Sequence, residues 1–166
     1  EISCSLVGSE MCIRDRMQDI YSKNHQICLM IVGGGPQLEE LQELTKELQL
    51  THCVYFTGPK EADLVPSYYH VSDLFVSASI TETQGLTFIE AMASGIPALA
   101  RYDKNLEGVI LDGRNGFFFE DKVDLTQKIL ELAQTDLSQL SMHAVEDAMQ
   151  YSSCLLYTSP SPRDCS

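Results

Sequence analysis

Five short apolar runs, each followed by a turn or an amphipathic stretch, do more than anything else in this chain to limit its fold. Ile27–Val32, Val54-Tyr55-Phe56, Leu74–Ser77, Pro97-Ala98-Leu99-Ala100 and Phe117-Phe118-Phe119 are too short for helices and too uniformly apolar for half-exposed strands. They suit strands buried on both faces. Between the first two, residues 37–48 carry Leu38, Leu41, Leu44 and Leu48 among glutamates, the stripe of an amphipathic helix. Residues 86–93, 123–134 and 137–151 are also expected to be helical, 106–110 forms a helical turn, and Pro66 marks a boundary inside a helical 62–70. Strands alternating with helices predict an α/β fold, a Rossmann-like parallel sheet flanked by helices. No internal repeat or low-complexity linker interrupts it, so residues 17–153 are expected to be one domain or most of one.

In open α/β sheets ligands occupy the crevice beyond the carboxyl ends of the strands. That rule gathers Gly33-Gly34-Gly35, Thr57-Gly58-Pro59-Lys60, residues 79–86 and Arg101-Tyr102-Asp103 on one edge. Within 79–86 and the helix that follows, Glu82 and Glu90 stand either side of Gly85, and Gly95 and Pro97 end the helix. The first turn of a helix has unpartnered N–H groups and a partial positive charge, and a glycine there lets an anion approach the backbone. A diphosphate fits that spot. Glu90 lies about five residues into the expected helix, roughly 7 Å along its axis, and an ionised carboxylate only accepts hydrogen bonds. The vicinal hydroxyls of a ribose are suitable donors, and Glu82 can take the hydroxyls of a sugar beyond the phosphates. A plainer alternative stands beside this: Thr87-Phe88-Ile89-Glu90 has the form of a capping box with Thr87 as N-cap, and Glu82 is simply solvated.

Other chemistries fit less well. Gly33-Gly34-Gly35-Pro36 lacks the third glycine of a dinucleotide fingerprint, Leu38 standing there, and Val54-Tyr55-Phe56-Thr57 offers no ribose-binding acid. His25, His52, His70 and His143 are scattered without ligand spacing, so no metal is expected. The acid pair of a glycosidase must flank a bond in an open cleft, which a glutamate partway along a helix does not suit. No Ser, His and Asp set has a nucleophile-elbow context.

Composition narrows the partners. A formal charge of −13 over 166 residues argues against nucleic acid and against direct adhesion to an anionic membrane. No run approaches the roughly 20 apolar residues of a spanning helix. Both ends are set aside from fold reasoning: residues 1–16 and 154–166 resemble the two strands of one sequencing adapter, translated, and are expected to be artefact. Of six cysteines, only Cys28 and Cys53 lie inside the remaining segment, and two buried free thiols suit a reducing cytoplasm.

Several strings together carry a family resemblance. Ile31-Val32-Gly33-Gly34-Gly35-Pro36, Phe56-Thr57-Gly58, Ser72-Asp73-Leu74-Phe75-Val76, Glu82 with seven residues before Glu90, and Asp112-Gly113-Arg114-Asn115-Gly116-Phe117 resemble the carboxyl-terminal, donor-binding half of retaining GT-B glycosyltransferases of family 4. The resemblance implies that Glu82 contacts the transferred sugar, Glu90 the ribose, and Gly85, Leu86 and Thr87 the diphosphate. The loop at Gly58 to Lys60 then lies near the base and Gly34 on the cleft floor, although a strand-ending turn explains Gly34 equally well. No cofactor beyond a UDP-sugar donor is implied, and no nucleophilic side chain. Thr81-Glu82-Thr83-Gln84-Gly85-Leu86 with the segment from Ala100 to Leu106 is similar to bacterial diacylglycerol α-glucosyltransferases, implying glucose transfer to a lipid by an enzyme at the inner membrane face. Lipid contact would lie mainly in an amino-terminal domain. Relatives hold the donor phosphates with an arginine and a lysine that have no counterpart in this chain, so the segment alone is expected to be inactive. A GT-B nucleotide-sugar epimerase and a non-catalytic nucleotide-sugar-binding domain are the alternatives.

Overall fold

Along the chain run β1 (Ile2–Leu6), α1 (Glu10–Lys23), β2 (Ile27–Val32), α2 (Leu38–Glu47), β3 (Val54–Gly58) and α3 (Val65–His70), then β4 (Leu74–Ser77), α4 (Gln84–Ala93), β5 (Ala98–Arg101), β6 (Gly116–Phe119), α5 (Lys122–Leu132) and α6 (Ser138–Tyr157). A 3-10 turn, Lys104–Leu106, stands between β5 and β6. This computed structural model describes the backbone of residues 2–6, 10–36, 38–61, 64–78 and 84–157, and their side chains except at 2–6, 10–15, 84 and 152–157.

The strands form one sheet in the order β3-β2-β1-β4-β5-β6, and every pairing is parallel. This is the doubly wound order in which the chain runs outward from β1 on one side and from β4 on the other. The centre is the part the sequence did not announce. Ile2–Leu6, inside the end set aside as adapter, pairs with β2 and with β4, and α1 begins in the same end.

Burial explains the rest. Leu74, Phe75, Val76 and Ser77 of β4 are all buried, as an inner parallel strand requires. One face of the sheet packs Ile27, Leu29 and Ile31 with Met17 and Ile20 of α1 and Leu125 and Ile129 of α5. The other packs Phe75, Ala98 and Ala100 with Tyr69 of α3 and Phe88 and Ala91 of α4. Met92 of α4 then meets Ala144 and Ala148 of α6. The expected helices start and stop for legible reasons. Pro66 sits in the first turn of α3, where its missing N–H costs nothing. Asp121 caps α5 by accepting from the N–H groups of Val123 and Asp124 at 2.8 and 2.9 Å, and those bonds hold its carboxyl below the usual range. Gly95, at φ +82°, closes α4: its N–H reaches Met92 O at 2.9 Å while the Ile96 N–H reaches Ala91 O at 3.1 Å. Cys28 is half-buried and Cys53 buried, both free thiols, and burial with Cys28 nearby pushes Cys53 up to about 11.

At the edge between β5 and β6 the approach is tightest. A Cβ on Gly116 would lie 2.4 Å from Ala98 O, so any side chain there would force the strands apart. The turn before it is tied to α6 by a polar cluster in which Asp147 and Asn115 are buried and Arg114 is exposed. Asp147 accepts from Arg114 Nε at 3.0 Å and from Arg114 Nη2 at 3.0 Å, and its other contact is the Asn115 amide at 3.0 Å. Asn115, fully buried, also donates to Val109 O at 3.1 Å and accepts from Leu111 N–H at 2.8 Å. Every polar atom of that amide has a partner, as burial demands.

Candidate nucleotide-sugar site

The strand order puts the crevice at the carboxyl ends of β1 and β4, the two strands from which the chain leaves in opposite directions. The loop after β4 leads straight into α4, so the amino-terminal turn of α4 faces that crevice. Glu82 belongs to this loop and lies outside the described residues. Gly85 is the second residue of α4 and Leu86 the third, 60% exposed. A Cβ built on Gly85 meets no described atom within 4 Å, and its φ is not positive. Neither backbone strain nor protein packing among the described residues asks for glycine here.

Thr87 is the fourth residue of α4, not its N-cap, because the helix starts at Gln84, three residues earlier than the capping-box pattern implies. With Thr87 inside the helix, the reciprocal cap with Glu90 has no place to form. Glu90 is therefore free of that structural duty. It sits about 9 Å along α4 from the first residue, at about 1.5 Å per residue. Its side chain is exposed and lines a cavity of about 380 Å³ between α3 and α4, with Val65, Pro66, Tyr69, His70, Ala93 and Ser94. Tyr69 is 2% exposed; burial first and the Glu90 charge second push its phenol up to about 12. The sequence reading passed over Tyr69, and the signal that could have found it is the tyrosine three residues after the helix-opening Pro66.

The two neighbouring loops are sewn together. Gly33 at φ +130° donates its N–H to Gly58 O at 3.2 Å, and Gly58 itself sits at φ +70°, so both glycines are there for their backbone. Gly34 has a different reason: its Cβ would lie 2.6 Å from Pro59 Cγ. Thr57 Oγ1 donates toward Ile31 O at 3.4 Å and Gly58 O at 3.1 Å. Lys60 Nζ stands 5.7 Å from the centre of the Tyr68 ring. Gly34, Gly58 and Lys60 thus share one wall of the sheet's carboxyl edge, flanking α3, while Gly85, Leu86, Thr87 and Glu90 share α4. Arg101 ends β5 on the same edge; Tyr102 donates its hydroxyl to Glu107, which raises the phenol above its ordinary value, and Asp103 accepts from Asn105 N–H at 2.9 Å.

Among the described residues no group of three His, Cys, Asp or Glu side chains is placed to hold a metal, and no helix is long and apolar enough to cross a membrane. Two of the histidines have plain packing roles. His25 stacks on Tyr21 at 4.7 Å and His52 meets the same ring edge-on at 4.6 Å.

A parallel sheet in this order, with helices on both faces, defines a doubly wound α/β unit. Residues 15–159 match the family described as glycosyl transferases group 1, and the chain belongs to that family. It is 35% identical over 123 residues to the alpha-monoglucosyldiacylglycerol synthase of Streptococcus pneumoniae, covering 73% of this chain and 28% of that protein. A protein of the same name from Acholeplasma laidlawii is 31% identical over 143 residues, covering 83% and 36%. A GDP-mannose-dependent alpha-(1-6)-phosphatidylinositol monomannoside mannosyltransferase of Mycolicibacterium smegmatis is 31% identical over 116 residues, covering 66% and 30%. The chain spans about a third of the length of these curated relatives. Among solved structures, the C-terminal domain of a glycosyl transferase group 1 family protein (LpcC) from Francisella tularensis superposes with a TM-score of 0.79 at 20% identity, over 91% of this chain and 86% of that one. The pneumococcal O-GlcNAc transferase GtfA in complex with UDP and GlcNAc gives 0.80 at 20% identity, over 90% and 32%. These structures share the fold, and the expected Rossmann-like half of a GT-B architecture stands.

Proposed function

We propose that this chain is the donor-binding half of a retaining glycosyltransferase that moves a hexose, glucose, from a UDP-sugar to a lipid acceptor such as diacylglycerol. The observation that carries the donor reading is the first turn of α4 at the strand switch point, with no described atom within 4 Å of a Cβ on Gly85, and with Glu90 in the helix's second turn and free of the cap. The diphosphate takes the N–H groups of Gly85, Leu86 and Thr87, and the ribose hydroxyls donate to Glu90. Glu82 takes hydroxyls of the sugar. The base rests by Gly58 and Lys60, with Gly34 in the floor. Glucose and diacylglycerol rest on the two relatives named alpha-monoglucosyldiacylglycerol synthase, and the mannosyltransferase relative makes GDP-mannose the competitor to exclude. The acceptor hydroxyl attacks from the face the phosphate leaves, a donor phosphate oxygen accepts its proton, and the anomeric configuration is kept. The enzyme works at the cytoplasmic face of a membrane, held there through an amino-terminal domain.

The test joins this chain to such a domain and supplies UDP-glucose or GDP-mannose with diacylglycerol vesicles. Glucosyl-diacylglycerol of retained configuration is the expected product. Free sugar or an epimerised donor would instead assign an epimerase, and binding without turnover a non-catalytic module. In the same protein Glu90→Ala weakens UDP binding by about 1.5–3 kcal/mol, the worth of a hydrogen bond to a charged group. Glu82→Ala mainly lowers transfer; full activity in that variant removes Glu82 from the mechanism.

A further inference from the structure

Tyr102, just beyond the carboxyl end of β5, is 52% exposed, yet its ring is held at two points. The hydroxyl donates to Glu107, and the ring meets Phe118 of β6 edge-on at 5.5 Å. The backbone under both side chains is fixed as well. The Tyr102 N–H reaches Phe119 O at 2.9 Å, the Glu107 N–H reaches Lys104 O at 3.2 Å, and the Gly108 carbonyl accepts from the Tyr151 hydroxyl at 2.7 Å. An exposed hydrogen bond adds little to stability, because water competes for both partners. What these contacts supply is order: a half-exposed ring in one orientation, with a carboxylate at its rim. Its place on the sheet follows from the strands. Side chains alternate along β5, so residue 102 falls on the side of Ala98 and Ala100, the side on which Phe118 and, from α4, Phe88 and Ala91 pack. Tyr102 therefore stands on the α4 side of the sheet, at the edge where α4 begins. In the order β3-β2-β1-β4-β5-β6 it lies beyond β4, on the opposite side from Gly58 at the end of β3. A ligand stretched along this edge from Gly58 past the first turn of α4 arrives at Tyr102.

We propose that Tyr102 and Glu107 form a pyranose-binding subsite at the sugar end of the crevice: the ring stacks on the C–H face of a hexose, and the Glu107 carboxylate accepts from its hydroxyls. The proposal deepens the donor-binding reading above and rests on it for the direction in which a nucleotide sugar lies. A pyranose carries hydroxyls around its rim and C–H groups on its faces, so it suits a flat apolar partner with an acceptor at the margin. Tyrosine offers a large contact area with two χ angles to fix. Here the fixing is done before the ligand arrives, which spares binding that cost. The bond to Glu107 raises the Tyr102 phenol above its ordinary value, so the hydroxyl keeps its proton and Glu107 remains the acceptor. A carboxylate has about four lone-pair positions, and the phenol takes one. Among the described residues no other side chain donates to that carboxylate, which leaves the rest to sugar hydroxyls. The hexose can come from two sources: the UDP-sugar itself, or an acceptor that already carries a sugar.

The experiment titrates the 166-residue chain and its Tyr102→Ala and Tyr102→Phe variants with UDP, UDP-glucose and methyl α-glucoside, reading dissociation constants by NMR at a temperature where every variant is folded. If the subsite takes the donor hexose, Tyr102→Ala weakens UDP-glucose binding about fivefold, equivalent to about 1 kcal/mol, and leaves UDP unchanged. If it takes an acceptor hexose, both nucleotides are unaffected and the loss falls on methyl α-glucoside. Tyr102→Phe keeps the ring and should keep most of the affinity in either case. A loss in Tyr102→Phe as large as that in Tyr102→Ala removes stacking from the account and overturns the proposal. Equal losses for UDP and UDP-glucose, with methyl α-glucoside unchanged, put Tyr102 at the nucleotide and overturn it as well. Unchanged binding of all three in Tyr102→Ala makes the Tyr102 and Glu107 pair a turn staple and nothing more. The donor reading fails separately, if neither nucleotide binds the unaltered chain. Methyl α-glucoside then decides the subsite alone: shifts that Tyr102→Ala abolishes support it, and their absence overturns it.

Discussion

The glycines at the mouth of the sheet and the glycine at its β5–β6 edge are the same residue used for opposite ends. A Cβ on Gly33, Gly35, Gly58 or Gly85 meets no described atom within 4 Å, whereas one on Gly116 runs into the Ala98 carbonyl at 2.4 Å. Gly33 and Gly58 are there for their positive φ and Gly85 has room beside it among the described residues, whereas Gly116, like Gly34 against Pro59, lets two parts of the chain approach closely. The polar chemistry divides in the same way. At the edge, Asp147 accepts from both Arg114 and Asn115 across more than 30 residues of sequence, and the Asn115 amide is fully satisfied. At the mouth, no described atom stands within 4 Å of a Cβ on Gly85 in the first turn of α4, and Glu90 lines a cavity. Both regions contribute strings that resemble the same family. One string therefore belongs to the proposed binding surface and the other to the brace behind it, since α6, which carries Asp147, packs through Ala144 and Ala148 on Met92 of α4.

The brace is where substitution should do most harm to folding. Gly116→Ala places a methyl against backbone that cannot turn aside, so β5 and β6 must separate; a loss of about 3 kcal/mol, the upper end of ordinary overpacking, is expected in denaturant unfolding. A loss below the error of that measurement would mean the strands have slack and would erase half of the contrast. Asp147→Ala comes next. It removes the acceptor of the buried Asn115 amide, which costs about 1–3 kcal/mol for an unmade buried hydrogen bond. The affinity for UDP should fall in that variant only as far as the unfolded fraction rises. A drop in affinity at a temperature where the variant is fully folded would show that the brace also sets the geometry of α4.

How legible these regions were follows from the kind of signal each leaves. Strands such as Ile27–Val32 and Leu74–Ser77 are local apolar runs, and their bounds could be drawn from the sequence to the residue. The start of α4 could not: Thr87 with Glu90 has a good capping pattern, yet the helix begins at Gln84, because a cap is a property of geometry and not of spacing. β1 and the start of α1 fall in the end expected to be artefact, where no element is expected from the sequence. Of the site, the α4 group of Gly85, Leu86, Thr87 and Glu90 and the pairing of Gly34 with the Gly58 loop follow from chain order and the carboxyl-edge rule. The Arg114, Asn115 and Asp147 cluster is long-range, joining a turn to a helix with no regular pattern between them, and Tyr69 and Glu90 line one cavity from two different helices. Nothing local announces either.

The sharpest form of the contrast is one substitution made in both places. Gly85→Ala should behave as the inverse of Gly116→Ala. Its φ suits an L-residue and its Cβ has room, so the folded state carries no new clash. Alanine also restricts the unfolded chain, and helical Gly→Ala replacements stabilise by roughly 0.5–1 kcal/mol, less in a first turn than in a helix interior. The expected thermal midpoint is therefore equal to or slightly above that of the unaltered chain. The methyl instead occupies the space through which a diphosphate would approach the N–H groups of the first turn, and UDP affinity should fall, as measured by titration, while uridine, lacking the phosphates, is affected far less. Equal loss for uridine and UDP would move the diphosphate away from Gly85. No loss for either would mean that the room beside this glycine is not the donor seat, and the likeness between an empty Cβ position and a binding site would fail at the residue where it is most specific.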